Sequence, residues 1–137
     1  MVVHVKLRVR SKRSSSAEEV VALVNGGAHS PEPVLVVDEI TARKLGYTEG
    51  EAVEASVADG RRRVQLVRDA VELTLIGDDG AELAKISTHL VIHPGLEEPL
   101  ITDTTIDALG ISVVSFGKGL WRHSSDPPAK VRRSAKA

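Results

Sequence analysis

Short apolar runs separated by turn-forming residues recur along the chain, and this pattern limits the fold more than any other feature. Residues 3–10 alternate apolar with mostly basic side chains, which is the period-two pattern of an amphipathic strand. Other strand-like runs lie at 19–24, 34–37, 53–57, 64–67, 71–76, 81–86, 88–92 and 111–116. Since the chain has one Trp, one Tyr and one Phe, aliphatic residues must build the core, which favours strands rich in β-branched residues. A mainly β fold is therefore expected.

Turn and cap residues place the hairpins and two short helices. Ala58-Asp59-Gly60 and residues 77–80 predict β-hairpin turns. A helix over residues 39–45 would follow Asp38 as N-cap, end at Gly46 and bring Ile40 and Leu45 to one side. A second helix is expected over residues 104–109, before Gly110. Because each helix ends in Leu-Gly, a weak internal duplication is suggested.

Length and composition indicate one domain, with residues 1–126 forming it and the basic segment 127–137 as a disordered tail. The chain has no Cys, which excludes disulfides, thiolate metal sites and a Cys nucleophile. No apolar run approaches the roughly 18 residues of a membrane-spanning helix, and no signal peptide is apparent. We therefore expect a soluble, cytoplasmic protein with no membrane partner.

Basic residues cluster near residues 6–13, at Arg61-Arg62-Arg63 and in the tail, although the net charge is only −1. Such clusters can meet nucleic acid or an acidic protein. They are also typical of a solvated strand face and a hairpin tip. The scarcity of aromatic residues weakens a role in binding single strands, which usually stack bases on rings.

The apolar run 22–24 leads into Asn25-Gly26-Gly27-Ala28, and a later run gives Leu100-Ile101-Thr102-Asp103 before Leu109-Gly110. Over about residues 18–117 these motifs resemble a retropepsin-like aspartic peptidase domain. The resemblance implies a closed acid-protease β-barrel with one or two short helices. It also implies a homodimer that binds extended polypeptide, with Ala58, Asp59 and Gly60 in the hairpin that covers the substrate.

Asn25 departs from the family pattern, because it falls on the catalytic Asp. Gly26 falls on the Thr or Ser beside that Asp, while Gly27 and Ala28 match the family's Gly and Ala. Thr102 stands where the family usually has Gly. An Asn amide cannot take a proton from water near neutral pH, so a dimer with two Asn25 side chains lacks a general base.

Three explanations of Asn25 stay open. Asn25 is native in a protein used for binding, or it is an engineered substitution that inactivates the enzyme. Alternatively it matures chemically, since Gly26 puts no side chain in the way of succinimide formation, and hydrolysis gives Asp or isoaspartate. Without the resemblance, Asn25-Gly26 is simply a tight turn.

Other candidate residues have simpler explanations. His89 and His93 have the i, i+4 spacing of a helical zinc pair, but in a strand they would lie roughly 13 Å apart. We therefore predict no metal site, and no cofactor. Asp103 is expected to cap a short helix, and it could supply the missing carboxylate only if it reached the Asn25 loop. The sequence thus predicts a peptidase-like protein that binds polypeptide and is inactive unless residue 25 is Asp, with a basic binding module as the alternative.

Overall fold

The computed structural model describes residues 2–57 and 60–136. Within them lie ten strands and two helices. The strands are β1 (His4–Ser11), β2 (Ala17–Val24), β3 (Val34–Val37), β4 (Glu51–Val57), β5 (Gly60–Ile76), β6 (Glu82–Ile92), β7 (Leu100–Ile101), β8 (Ile111–Ser115), β9 (Leu120–His123) and β10 (Arg132–Arg133). The helices are α1 (Glu39–Lys44) and α2 (Asp103–Leu109).

Six strands close into a barrel. They pair in the order β1-β2-β7-β3-β6-β5, and β5 pairs in turn with β1. Strand β4 pairs with the N-terminal part of β5, residues 60–66, and so extends this sheet. A separate sheet has the order β10-β9-β8. The prediction of a mainly β, closed barrel with two short helices is confirmed.

The barrel interior is filled by the aliphatic residues that alternate along the strands. Leu7, Leu35, Leu73 and Leu90 are fully buried, and Leu109 of α2 packs with them. Trp121 on β9 is also buried, and its indole N–H donates to the Arg133 carbonyl, so it packs in the core rather than at an exposed interface. No helix within the described residues is long and apolar enough to cross a membrane.

Strand β5 runs unbroken through two predicted strands. The sequence predicts separate strands at 64–67 and 71–76, whereas β5 spans 17 residues. The polar residues Arg68 and Asp69, which interrupt the apolar pattern, lie in a bulge between Val67 and Val71, where Asp69 has a φ of 47°. The strand therefore continues past them. β6 similarly joins the runs predicted at 81–86 and 88–92.

Helix α1 confirms the predicted cap, because the Asp38 carboxylate accepts a hydrogen bond from the Thr41 N–H at 2.8 Å. Gly46 follows the helix with a φ of 89°. However, Ile40 is 57% exposed while Leu45 is buried. Positions five apart in an α-helix are rotated by about 140° from each other, so Ile40 and Leu45 do not share a face.

Residues 127–136, which we expected to be disordered, lie against the barrel in this structure. Arg132 is buried, and its guanidinium forms two hydrogen bonds to Asp126, at 2.7 and 2.8 Å. It also donates to Asp78 and Asp79 in the turn between β5 and β6. Basic composition suggested a solvated tail, but three carboxylates converge on one of its arginines, and two of them, Asp78 and Asp79, lie more than 50 positions away in sequence.

Candidate active-site loop

Strands β2 and β7 are parallel, so the segments that follow them lie at the same end of the barrel. Val24 is in register with Ile101. The Asn25 N–H donates to the Ile101 carbonyl at 3.2 Å, and the Asp103 N–H donates to the Ala28 carbonyl at 2.9 Å. The structure therefore brings together the two sequence motifs that carry the resemblance.

Asn25 closes its own turn. Its Oδ1 accepts a hydrogen bond from the Gly27 N–H at 3.1 Å, and the Ala28 N–H donates to the Asn25 carbonyl at 3.1 Å. Asn25 is half-buried, whereas Gly26 and Gly27 are exposed. The Asn25 side chain is thus fixed at the start of a loop, and the backbone of the next two residues is exposed to solvent.

Asp103 reaches this loop, but its carboxylate is already engaged. Oδ1 accepts from the Ser30 N–H at 3.0 Å and from the Thr104 N–H at 2.8 Å, while Oδ2 lies 2.9 Å from Nδ1 of His29. These bonds, that to His29 first, lower the pKa of Asp103 below its usual range. A carboxylate stabilised in this way is a poor base, so Asp103 fastens the loop to α2.

Hydroxyl groups form a second tie between the loop and α2. The Ser30 hydroxyl lies 2.6 Å from that of Thr102 and 2.9 Å from that of Thr104. The buried Thr105 hydroxyl donates to the Val34 carbonyl and accepts from the Val34 N–H, at 2.8 and 2.9 Å. Sequence reasoning missed these roles of Ser30 and Thr105, because the bonds to Thr102, Thr104 and Val34 join residues more than 70 positions apart and no local pattern marks them.

Replacing Thr105 by Val should lower the free energy of unfolding by about 2 kcal/mol. The two side chains have similar shapes, but valine leaves the N–H and carbonyl of Val34 without their buried partner. Thr105→Ser, which keeps the hydroxyl, is the matched control and should lower the free energy of unfolding by less than Thr105→Val does. Urea unfolding monitored by Trp121 fluorescence measures both, and an equal loss in the two variants would contradict the role of the hydroxyl.

The Asp103 carboxyl should titrate below its ordinary value of 3.8. Since its pKa is depressed in the folded chain, the contacts are complete above that value and are lost as pH falls through the depressed pKa. His29→Ala removes the largest cause and should raise the pKa part of the way back, because the Ser30 and Thr104 donors remain. Carbon NMR titration of the Asp103 carboxyl tests this, and an unchanged pKa in His29→Ala would contradict it.

The other predicted site residues lie elsewhere or cannot be placed. Gly60 begins β5 with a φ of 120°, while Ala58 and Asp59 lie outside the described residues. His89 accepts the Asp69 N–H at Nδ1 and contacts Glu32 through Nε2. Across residues 2–57 and 60–136, no group of three or more His, Cys, Asp or Glu side chains could hold a metal ion.

Many exposed basic side chains are paired with nearby acidic side chains. Arg10 lies 2.9 Å from Glu72, and Arg61 lies 3.1 Å from Glu54. Further pairs are Arg8–Glu82, Lys12–Asp69 and Arg68–Glu51. These acidic partners reduce the positive potential that a phosphate backbone would meet, which disfavours binding of nucleic acid or an acidic protein. Such binding stays the alternative prediction.

Comparison with known proteins gives structural likenesses but no sequence match. No protein-family model matches the chain, and no curated protein matches its sequence. Among solved structures, it is similar to the retroviral protease-like domain of Ddi1 from Leishmania major. The two share 12% sequence identity over 92% of each chain, with a TM-score of 0.47. Function is therefore inferred from the chain's own residues and contacts.

Proposed function

We propose that this chain is a peptidase-like protein that binds extended polypeptide as a homodimer and, with Asn at position 25, does not cleave it. One observation carries the proposal. Asn25 follows β2 where the resemblance expects the catalytic acid, and the carboxylate of Asp103, joined to the same loop, is occupied by three partners. The loop is thus built for close approach but lacks a free general base.

Binding by backbone contacts suits the exposed parts of this fold. Gly26 and Gly27 have no side chains, so an incoming main chain can approach the loop closely. Within the described residues, β4 pairs only with β5, which leaves one edge to which an extended peptide can add as a strand.

A second copy supplies the other half of the proposed site, because each chain carries a single Asn25 loop. Among the described residues, β8 pairs only with β9, so its other edge is open. Val114 and Phe116, near that edge, are 49% and 53% exposed. An uncharged edge strand with exposed apolar side chains favours pairing with its own copy.

Gly27→Trp tests whether polypeptide binds at the loop. A Cβ at Gly27 meets only Asn25 Oδ1, at 3.5 Å, so a bulky side chain should cover the exposed backbone of the loop without disturbing the fold. We expect the affinity for a labelled, unfolded casein to fall by about tenfold or more, which corresponds to about 1.4 kcal/mol. Fluorescence anisotropy measures the affinity, and sedimentation equilibrium measures the dimer.

Gly27→Ala is the graded control for that experiment, and its single methyl group should weaken binding much less than the Trp side chain does. Full binding by a folded Gly27→Trp protein would place the polypeptide elsewhere. Binding that weakens steeply with salt and extends to DNA or RNA would instead support the basic module.

A further inference from the structure

We propose that Asn25 is a self-modification site, at which the folded loop deamidates to give an aspartate. This goes beyond the proposed function, because the product carboxylate would stand where the resemblance expects the catalytic acid. A protein made as a binder would then acquire a peptidase's acid with time.

The loop leaves the attacking nitrogen accessible. Gly26 is exposed, and no described residue accepts a hydrogen bond from its N–H. With no Cβ on Gly26, nothing on that residue blocks the approach of its nitrogen to the Asn25 side-chain carbon.

A second feature activates the side-chain carbonyl. The Gly27 N–H donates to Asn25 Oδ1 at 3.1 Å, which polarises the Cγ–Oδ1 bond. When the Gly26 nitrogen adds to Cγ, negative charge develops on this oxygen, and a donor already aimed at it stabilises the tetrahedral intermediate. Asn25 thus has a nucleophile beside it and an oxyanion donor in place.

The chemistry balances with water as the only co-reactant. Loss of a proton from the Gly26 N–H lets that nitrogen form a bond to Cγ, and the Cγ–Nδ2 bond breaks to release ammonia and leave a succinimide. Water then attacks Cγ and breaks its bond to the Gly26 nitrogen, which gives aspartate. Attack at the main-chain carbonyl carbon of residue 25 gives isoaspartate instead.

The sequence makes this modification easy to detect. Asn25 is the only Asn in the chain, and Gln65 is the only Gln. A mass increase corresponding to exchange of NH₂ for OH therefore has two possible sources, which a peptide map separates. Asp-Gly sites can isomerise but do not change the mass.

Gly26→Ala is a matched control. A Cβ at this position meets no atom within 4 Å, and Gly26 is not among the glycines with positive φ, so the variant should fold normally. The added methyl group obstructs attack by the residue 26 nitrogen. We expect it to slow deamidation by about tenfold or more.

The experiment incubates the purified full chain at mildly alkaline pH in ¹⁸O-labelled water, folded and in denaturant, with intact mass and peptide mapping over time. We expect the folded parent to deamidate at position 25 at least as fast as the unfolded chain, to incorporate label and to yield aspartate. Asn25→Asp supplies the reference peptide.

Three results would overturn the proposal: a folded chain that keeps Asn25 while the unfolded chain converts, equal rates in the parent and Gly26→Ala, or isoaspartate as the sole product. The readout needs neither bound polypeptide nor a dimer. A failure here is therefore distinct from a failure of the proposed function, which the Gly27→Trp experiment tests.

Discussion

Asn25→Asp should convert the polypeptide binder into an acid peptidase, with cleavage of an unfolded protein substrate raised by at least about a hundredfold. The carboxylate can keep the hydrogen bond that Asn25 Oδ1 accepts from Gly27, so the loop should retain its shape. In a homodimer the two carboxyl groups would share a proton, one acting as base on water while the other polarises the scissile carbonyl. Cleavage should therefore be greatest at acid pH and fall as both carboxyls ionise.

Asn25→Ala and freshly purified parent protein are the controls for this gain of activity. Both should bind the substrate without cutting it, because neither carries an acid at position 25. A well-folded, dimeric Asn25→Asp protein that shows no cleavage at any acid pH would mean that the loop does not form a peptidase site.

Arg132→Met should lower the free energy of unfolding by about 3 kcal/mol. The Arg132 and Asp126 side chains are only 3% and 4% exposed, and the guanidinium bonds both carboxylate oxygens of Asp126. Hydrogen bonding to Arg132 is the main cause that lowers the pKa of Asp126 to about 2. Removing the arginine leaves a nearly buried carboxylate without its counter-charge and removes two of the hydrogen bonds that join the C-terminal segment to the turn at Asp78 and Asp79.

Arg133→Ala is the matched control, because Arg133 is exposed and only its backbone N–H bonds Asp78. Its free energy of unfolding should lie within about 0.5 kcal/mol of that of the parent. The double variant Arg132→Met with Asp126→Leu should recover part of the loss, since no lone charge then stays buried. Urea unfolding measures all three, and an Arg132→Met protein as stable as Arg133→Ala would contradict the account of the C-terminal segment.

Much of the fold follows from local patterns. Alternation predicts β1, a short apolar run predicts β2, the turn residues predict the β4–β5 hairpin, and Asp38 caps α1 as expected. What local patterns cannot give is where a polar interruption becomes a bulge, as at Asp69, rather than the end of a strand. Nor can they show that Arg132 finds acids more than 50 residues away.

The motifs of the candidate site could also be predicted from local patterns, whereas the contacts between them could not. The motif at residues 25–28 and the run at 100–103 could be recognised separately, and the parallel register of β2 and β7 is what joins them. Asp103 was expected as a helix cap or as a substitute acid. Its bonds to Ser30 and His29, which directly follow the other motif, instead make it part of the loop's support. Such pairings depend on the closed barrel and leave no trace in local spacing.

The most direct test of the proposed function incubates an unfolded protein substrate at acid pH with freshly purified protein in which peptide mapping shows Asn at position 25. Native mass spectrometry and fragment analysis then report binding and cleavage together. The account predicts a dimer carrying intact polypeptide and no fragments. Fragments produced while residue 25 is still Asn would contradict it, as would a dimer that binds no polypeptide at all.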